Sequence, residues 1–280
     1  MVVALAVDIG GTKVAVGLVD DGGRLLVRRS TATPATTDAE EMWRAVVAAI
    51  DTVRTHDASV CGVGCGGPMT RGGASVSPLN IPAWRDFPLR DRLHGHLGLP
   101  VAVDNDAKAL ALGEGWVGAA RGEDDYVALV VSTGVGGGIV LDGRLLDGRD
   151  GNAGHLGHVI VEPDGRVCGC GARGCVEAEA SGTAIRAITG RAPVEASDEI
   201  RVRTGMLVGR AIASVANLLD LRLAVVAGSV ALGFGALFFE AAQAEIDDRA
   251  RLAFSAGTRV VPGGLGDAGP LIGAAAVAFR

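Results

Sequence analysis

The chain opens on apolar runs separated by glycine turns. Apolar spacing predicts a strand over 2–8 (VVALAVD), the turn DIGGTK at 8–13, a strand over 14–20 and, past Asp-Gly-Gly, a third over 24–30. This is an antiparallel meander. Thr37-Asp38 caps a predicted helix running to about Arg54, with Met42, Val46, Ala49, Ile50 and Val53 on one face. A strand follows at 60–68, VCGVGCGGP, ending in glycines. Cys61 and Cys65 share one face of it and read as small core residues. Residues 77–88 form a proline-broken loop too long for a simple connector. Leu89–Leu97 reads as a helix, 101–106 as a strand and Ala107–Val117 as a helix, so Asn105 and Asp106 stand at a strand-to-helix junction.

The pattern then repeats. YVALVVSTGVGGGIVLDGRLL (126–146) aligns loosely with ALAVDIGGTKVAVGLVDDGGRLL (4–26): apolar strand, Thr/Gly turn, apolar strand, Asp-Gly, Arg-Leu-Leu. Two lobes on one plan are expected, presenting similar glycine turns to one polyphosphate. Farther on, 198–220 has helical spacing with apolar residues at 200, 207, 208, 211, 212, 215, 218 and 219. Residues 223–232 read as strand, turn and helix onset, 237–252 as helix, 258–262 as strand and 269–279 as helix.

Composition narrows the function classes. Glycine numbers 43 of 280, roughly double the usual share, and gathers between apolar strands as tight loops around a ligand would. Aromatics are 4% and net charge is −6, with no basic stripe, which weighs against nucleic-acid and anionic-membrane binding. No signal peptide or membrane-length apolar run is visible, so a cytoplasmic protein is expected.

Three motifs carry candidate chemistry. In DIGGTK, Gly10 and Gly11 would admit a phosphate to backbone N–H groups, Thr12 adds a hydroxyl, Lys13 a charge, and Asp8 would hold Mg2+ through water. A ligand-free hairpin turn fits as well. Thr133, Gly134 and Gly136 repeat the motif, and the pair favours phosphate binding. Asn105-Asp106 puts a carboxylate where it can accept a hydroxyl proton, although on local sequence Asp106 reads first as a helix cap. His158, Cys168, Cys170 and Cys175 offer one imidazole and three thiols in a short span. That set suits a closed, structural Zn2+ site with no position open for water.

DIGGTK, GVGCGGP (62–68), NIPAW (80–84), ND (105–106), STGVGGG (132–138), GHLGH (154–158), CGCGARGCVE (168–177) and AGSV (227–230) together resemble the ROK-family sugar kinases, most closely the glucokinase branch. The resemblance spans the chain. It implies an α/β, two-lobed actin-like (ribonuclease-H-like) sugar-kinase fold with an interlobe cleft and a structural zinc loop. The lobes would be 1–106 plus 269–280 and 107–268. It implies ATP as the default phosphoryl donor, with polyphosphate, which some relatives use, as the alternative, a hexose as acceptor and a homodimer. Asp106 would be the base at the sugar 6-hydroxyl. Asn105, Gly66, Gly67, His158 and Glu177 would line the sugar pocket, and Gly228 would lie near the adenosine. Repressors of the family carry a helix-turn-helix segment ahead of the sugar-binding part. Asp8 lies seven residues from the start, so a kinase is expected.

One position departs from the pattern. His155 stands where the family's kinases usually have Glu, in ExGH. A neutral imidazole has one donor and one acceptor and no fixed negative charge. Either an amino or N-acetylated hexose, or a hexose of another ring stereochemistry, replaces glucose as substrate, or the exchange leaves preference unchanged.

Overall fold

The computed structural model describes residues 2–53 and 57–280. It divides into two compact units, 1–118 with 147–153 and 267–280, and 119–146 with 154–266.

The first unit holds a mixed sheet in the order β3-β2-β1-β4-β5. Strands β1 (Val3–Ile9), β2 (Lys13–Asp20) and β3 (Leu25–Ala32) form the antiparallel meander, and β4 (Val60–Cys65) and β5 (Val101–Asn105) continue from β1 in parallel. Every residue of β1 is buried, as a strand covered on both faces requires. One face packs on α1 (Ala39–Ile50) and α2 (Leu89–Leu97), through Met42, Val46, Ile50, Leu89 and Leu93, with Cys61 and Cys65 in the same core. The predicted end of α1 at Arg54 lies outside the described residues. The other face takes α9 (Gly269–Phe279), whose Leu271, Ala274 and Ala275 meet Ala4, Ala6 and Ala15. Small residues allow a close approach there: a Cβ on Gly62 would lie 1.9 Å from the Ala274 carbonyl oxygen. Helix α3 (Asp106–Val117) packs on α9 and so belongs to this unit, whereas the sequence reading began the second lobe at 107.

The second unit repeats the topology in the order β10-β9-β6-β7-β8. Strands β6 (Tyr126–Val131), β7 (Val135–Leu141) and β8 (Arg144–Leu145) are the meander, with β9 (Leu223–Ala227) and β10 (Arg259–Pro262) parallel to β6. Short helices α4 (Val176–Ala180) and α5 (Gly182–Thr189), which apolar spacing did not reveal, precede the long α6 (Asp198–Leu219). Helices α7 (Ser229–Phe234) and α8 (Ala236–Arg249) complete the unit. Leu207, Val208, Ala211, Ile212 and Val215 of α6 are core, but Leu218 is 79% exposed, a departure from its expected face.

Candidate active site and four-ligand loop

The first unit brings the 8–13 glycine turn and the junction carboxylate together. Gly10–Thr12 connects β1 to β2, closed by Gly10 N–H donating to the Lys13 carbonyl at 3.0 Å. Thr33, the residue after β3, clips the turn, its Oγ1 donating to the Gly10 carbonyl at 2.6 Å. A Cβ on Gly11 would lie 2.8 Å from the Asn80 carbonyl oxygen, and one on Gly66 2.9 Å from Asn80 Oδ1. The NIPAW loop therefore lies against both glycines. Asn80 lies beside the predicted set, and the length of its loop and the NIPAW motif that it opens were the hints of that. Trp84, fully buried and stacked on Phe87 with ring centroids 4.4 Å apart, anchors this loop.

At the β5–α3 junction the cap is Asn105 and not Asp106. Asn105 Oδ1 accepts from Ala107 N at 3.0 Å and Lys108 N at 3.3 Å. Asn105 has the extended backbone of a cap, and Asp106 is the first helical residue. Ala107 N–H donates to Asp106 Oδ1 at 2.9 Å. Gly64 of β4 would place a Cβ 3.5 Å from Asp106 Cα and 3.7 Å from Asp8 Oδ1, so the Asp106 backbone and the Asp8 carboxylate flank one bare stretch of strand. Burial pushes Asp106 above the usual carboxylate range. Burial, then the Asp106 charge, raises Asp8 to about 7, with Lys13 and Arg28 opposing. The same burial and both carboxylates push the Cys65 thiol well up, so it is an inert core residue.

Sequence reasoning missed Lys108, two residues past Asp106. Its side chain is 2% exposed, and Nζ reaches Asp104 Oδ1, Asp147 Oδ1 and the Gly151 carbonyl, each at 3.0 Å. The three ammonium protons are thereby used. Asp104 Oδ1 also accepts from Asn105 N at 2.8 Å, so the network braces the junction.

In the second unit, the turn between β6 and β7 is Ser132–Thr133–Gly134. Gly136 lies inside β7, opposite Val130, where the sequence reading had a turn. The neighbouring glycines serve packing: a Cβ on Gly137 would lie 2.4 Å from Leu156 Cδ1, and one on Gly157 2.1 Å from the Val135 carbonyl oxygen. Thr183 caps the turn by donating through Oγ1 to the Thr133 carbonyl at 2.9 Å. Gly228, at φ 100°, abuts the end of β6, and Ser229 Oγ lies 3.0 Å from Ser132 Oγ. Thr133, Gly134 and Gly228 thus share one end of this sheet. Glu177 joins them, its Oε2 accepting from Val135 N at 3.0 Å; a Cβ on Gly134 would stand 2.8 Å from that oxygen.

The sulfur loop ends where α4 begins, with Cys175 as the residue before the helix. The ligand atoms of His158, Cys168, Cys170 and Cys175 all lie within 4.8 Å of one another. Cys170 Sγ is 3.8 Å from Cys175 Sγ, and His158 Nδ1 is 3.7 Å from Cys168 Sγ. Tetrahedral Zn–S bonds of about 2.3 Å put ligand sulfurs roughly 3.8 Å apart. No disulfide competes, since all five cysteines are free. The donor set and its spacing therefore fit Zn2+. Burial and the neighbouring thiols push Cys175 up to about 12, so metal uptake must displace a proton there. His155 is exposed, and its ring lies 6.0 Å from that of His158 at 23°, which puts both imidazoles at the same rim.

Two sheets of one topology, each ending in a glycine turn, with a four-ligand loop in the second unit, define an α/β protein of the sugar-kinase fold. The chain belongs to the ROK family, whose model matches residues 4–280. It is 45% identical over 185 residues to a glucokinase of Thermotoga maritima, a stretch covering 65% of this chain and 58% of that protein. It is 41% identical over 250 residues to an N-acetylmannosamine kinase of Citrobacter koseri, covering 83% and 85%. A ROK-family glucokinase of Streptomyces griseus, solved with glucose and AMPPNP, superposes with a TM-score of 0.87 at 33% identity and covers 99% of both chains. Among the described residues, no helix is long and apolar enough to cross a membrane.

Proposed function

We propose that the protein is a sugar kinase that transfers the γ-phosphoryl group of ATP to the 6-hydroxyl of a hexose, glucose first. The observation that carries this reading is the β5–α3 junction. Asn105 takes the capping role, which leaves the Asp106 carboxylate to chemistry, and burial lifts its pKa toward that of a working general base. Asp106 would accept the 6-hydroxyl proton as the oxygen attacks phosphorus. Asn105 spends Oδ1 on the cap and keeps its Nδ2 protons for a neighbouring sugar oxygen. Glu177 holds the Thr133–Gly134 turn with Oε2 and offers Oε1 to a sugar hydroxyl. His158 and His155, with Gly66 and Gly67, would complete the sugar contacts. Gly10, Gly11, Thr12 and Lys13, and Thr133 and Gly134, would cradle phosphates, with Gly228 beside the adenosine. Mg2+ held near Asp8 would neutralise phosphate charge. Zn2+ on His158, Cys168, Cys170 and Cys175 would fix the sugar-binding loop. Catalysis is then mainly positioning and charge neutralisation. A homodimer is part of the same proposal, resting on the family resemblance.

A second reading has specific support. The Citrobacter relative is an N-acetylmannosamine kinase, and His155 can donate to an acyl carbonyl where a carboxylate cannot. A matrix of sugars against ATP and polyphosphate, run on wild type and His155→Glu, separates the two. Glucose-dependent ADP release supports the first reading, and activity confined to N-acetylhexosamines the second. DNA binding with no sugar-dependent ADP release would replace both with a sugar-sensing regulator.

A further inference from the structure

The four-ligand loop is held from outside. Glu179, on α4 four residues after Cys175, is 3% exposed. Its Oε1 accepts from Arg166 N at 2.6 Å, two residues before Cys168. One carboxylate thus joins both flanks of the cysteine segment. Its Oε2 accepts from Arg203 Nη2 at 2.7 Å, and its carbonyl accepts from Arg203 Nη1 at 3.0 Å. Gly165 makes room, since a Cβ there would lie 2.5 Å from Glu179 Oε1. Seven residues along α6, hence two turns away on the same face, Arg210 binds Glu162 Oε1 and the Val161 carbonyl at the start of the loop. Arg210 is itself fixed by Glu245 of α8 through Nε at 2.6 Å.

The geometry points to Glu179, backed by Arg203 and with Arg210–Glu162 as a second clamp, as a positioning residue that assembles the zinc ligands before the metal arrives. The inference rests on the zinc reading of His158, Cys168, Cys170 and Cys175. None of the clamp residues reaches a ligand atom; they act on the backbone that carries the ligands. A loop left to close on the metal would spend binding free energy on ordering itself. A clamped loop has already met that cost, and the difference appears as metal affinity. A hydrogen bond to a charged group is worth roughly 10–100-fold in the equilibrium it biases.

The test is zinc affinity of the full chain, measured by competition with a chromophoric chelator, with zinc alone as the probe. In Glu179→Gln the amide NH2 must face either Arg166 N–H or the Arg203 guanidinium, so one bond is lost at nearly constant volume. The zinc dissociation constant is expected to rise by up to roughly 10–100-fold, the worth of that one charge-assisted bond. Glu162→Gln, in a more exposed residue, should give a smaller rise and carries the test if Glu179→Gln does not fold. Folded variants that bind zinc within threefold of wild type, while unfolding at lower temperature, would make the clamp merely structural and overturn the inference. Wild type that takes up no zinc would instead overturn the metal reading itself.

Discussion

Asp8→Asn should make the protein more stable and less active, with a pH dependence that identifies the cause. Burial first, and the Asp106 charge second, raise Asp8 from the ordinary 3.8 to about 7. Each tenfold change in proton affinity is worth about 1.4 kcal/mol, so holding Asp8 ionised in the folded, ligand-free state costs up to roughly 4 kcal/mol. The sign follows from the folded value lying above the unfolded one. The contribution of Asp8 to stability is greatest below about pH 4 and is lost as pH rises through 7. Asn carries no charge at any of these pH values. The stability of Asp8→Asn minus that of wild type should therefore grow from pH 5 to 7 and level off near pH 8. Urea unfolding at pH 5, 6, 7 and 8, without Mg2+ or nucleotide and with a chelator too weak to strip zinc, measures the difference. A gap that stays flat, or shrinks as pH rises, would refute the reasoning. The same variant should lose phosphoryl transfer, a trade of activity for stability common at functional sites.

Further outcomes follow from other parts of the structure. Lys108→Met leaves Asp104 and Asp147 with Arg280 as their one counter-ion among the described residues, so chemical denaturation should show a loss of about 3–5 kcal/mol. Trp84→Ala empties a fully buried site, and a loss of about 3–5 kcal/mol is expected in the same assay. Gly174→Ala would put a Cβ 1.5 Å from the Glu162 carbonyl oxygen at a φ of +74°, so metal analysis of the purified variant should find zinc well below one per chain.

Much of this arrangement could be read from residue order because the signals are local. The alternation in 4–26 and 126–146 is a property of each strand pair, and both meanders have the predicted strands. The His-Cys-Cys-Cys spacing is short, so loop closure brings the four ligands together. What escaped was set by distant partners. Lys108 in an apolar helix pattern gave no sign of Asp147 and Gly151, about forty positions later, which neutralise it. Asn105 and Asp106 are both good caps by type, and only backbone geometry decides between them. Gly136 looks like part of a turn in a glycine run, yet pairing with Val130 draws it into β7. Glu179 is one acidic residue in a short helix, and its value depends on Arg166 and Arg203.

The central claim is that Asp106 is the base of a sugar-kinase reaction. It is tested most directly by sugar-dependent ADP release from ATP–Mg2+ in wild type and Asp106→Asn, with sugar affinity measured separately by calorimetry. Wild type should turn over with a hexose, and the variant should lose about 10²–10⁴-fold in kcat while binding the sugar within a few-fold. Near-normal turnover by Asp106→Asn would contradict the account.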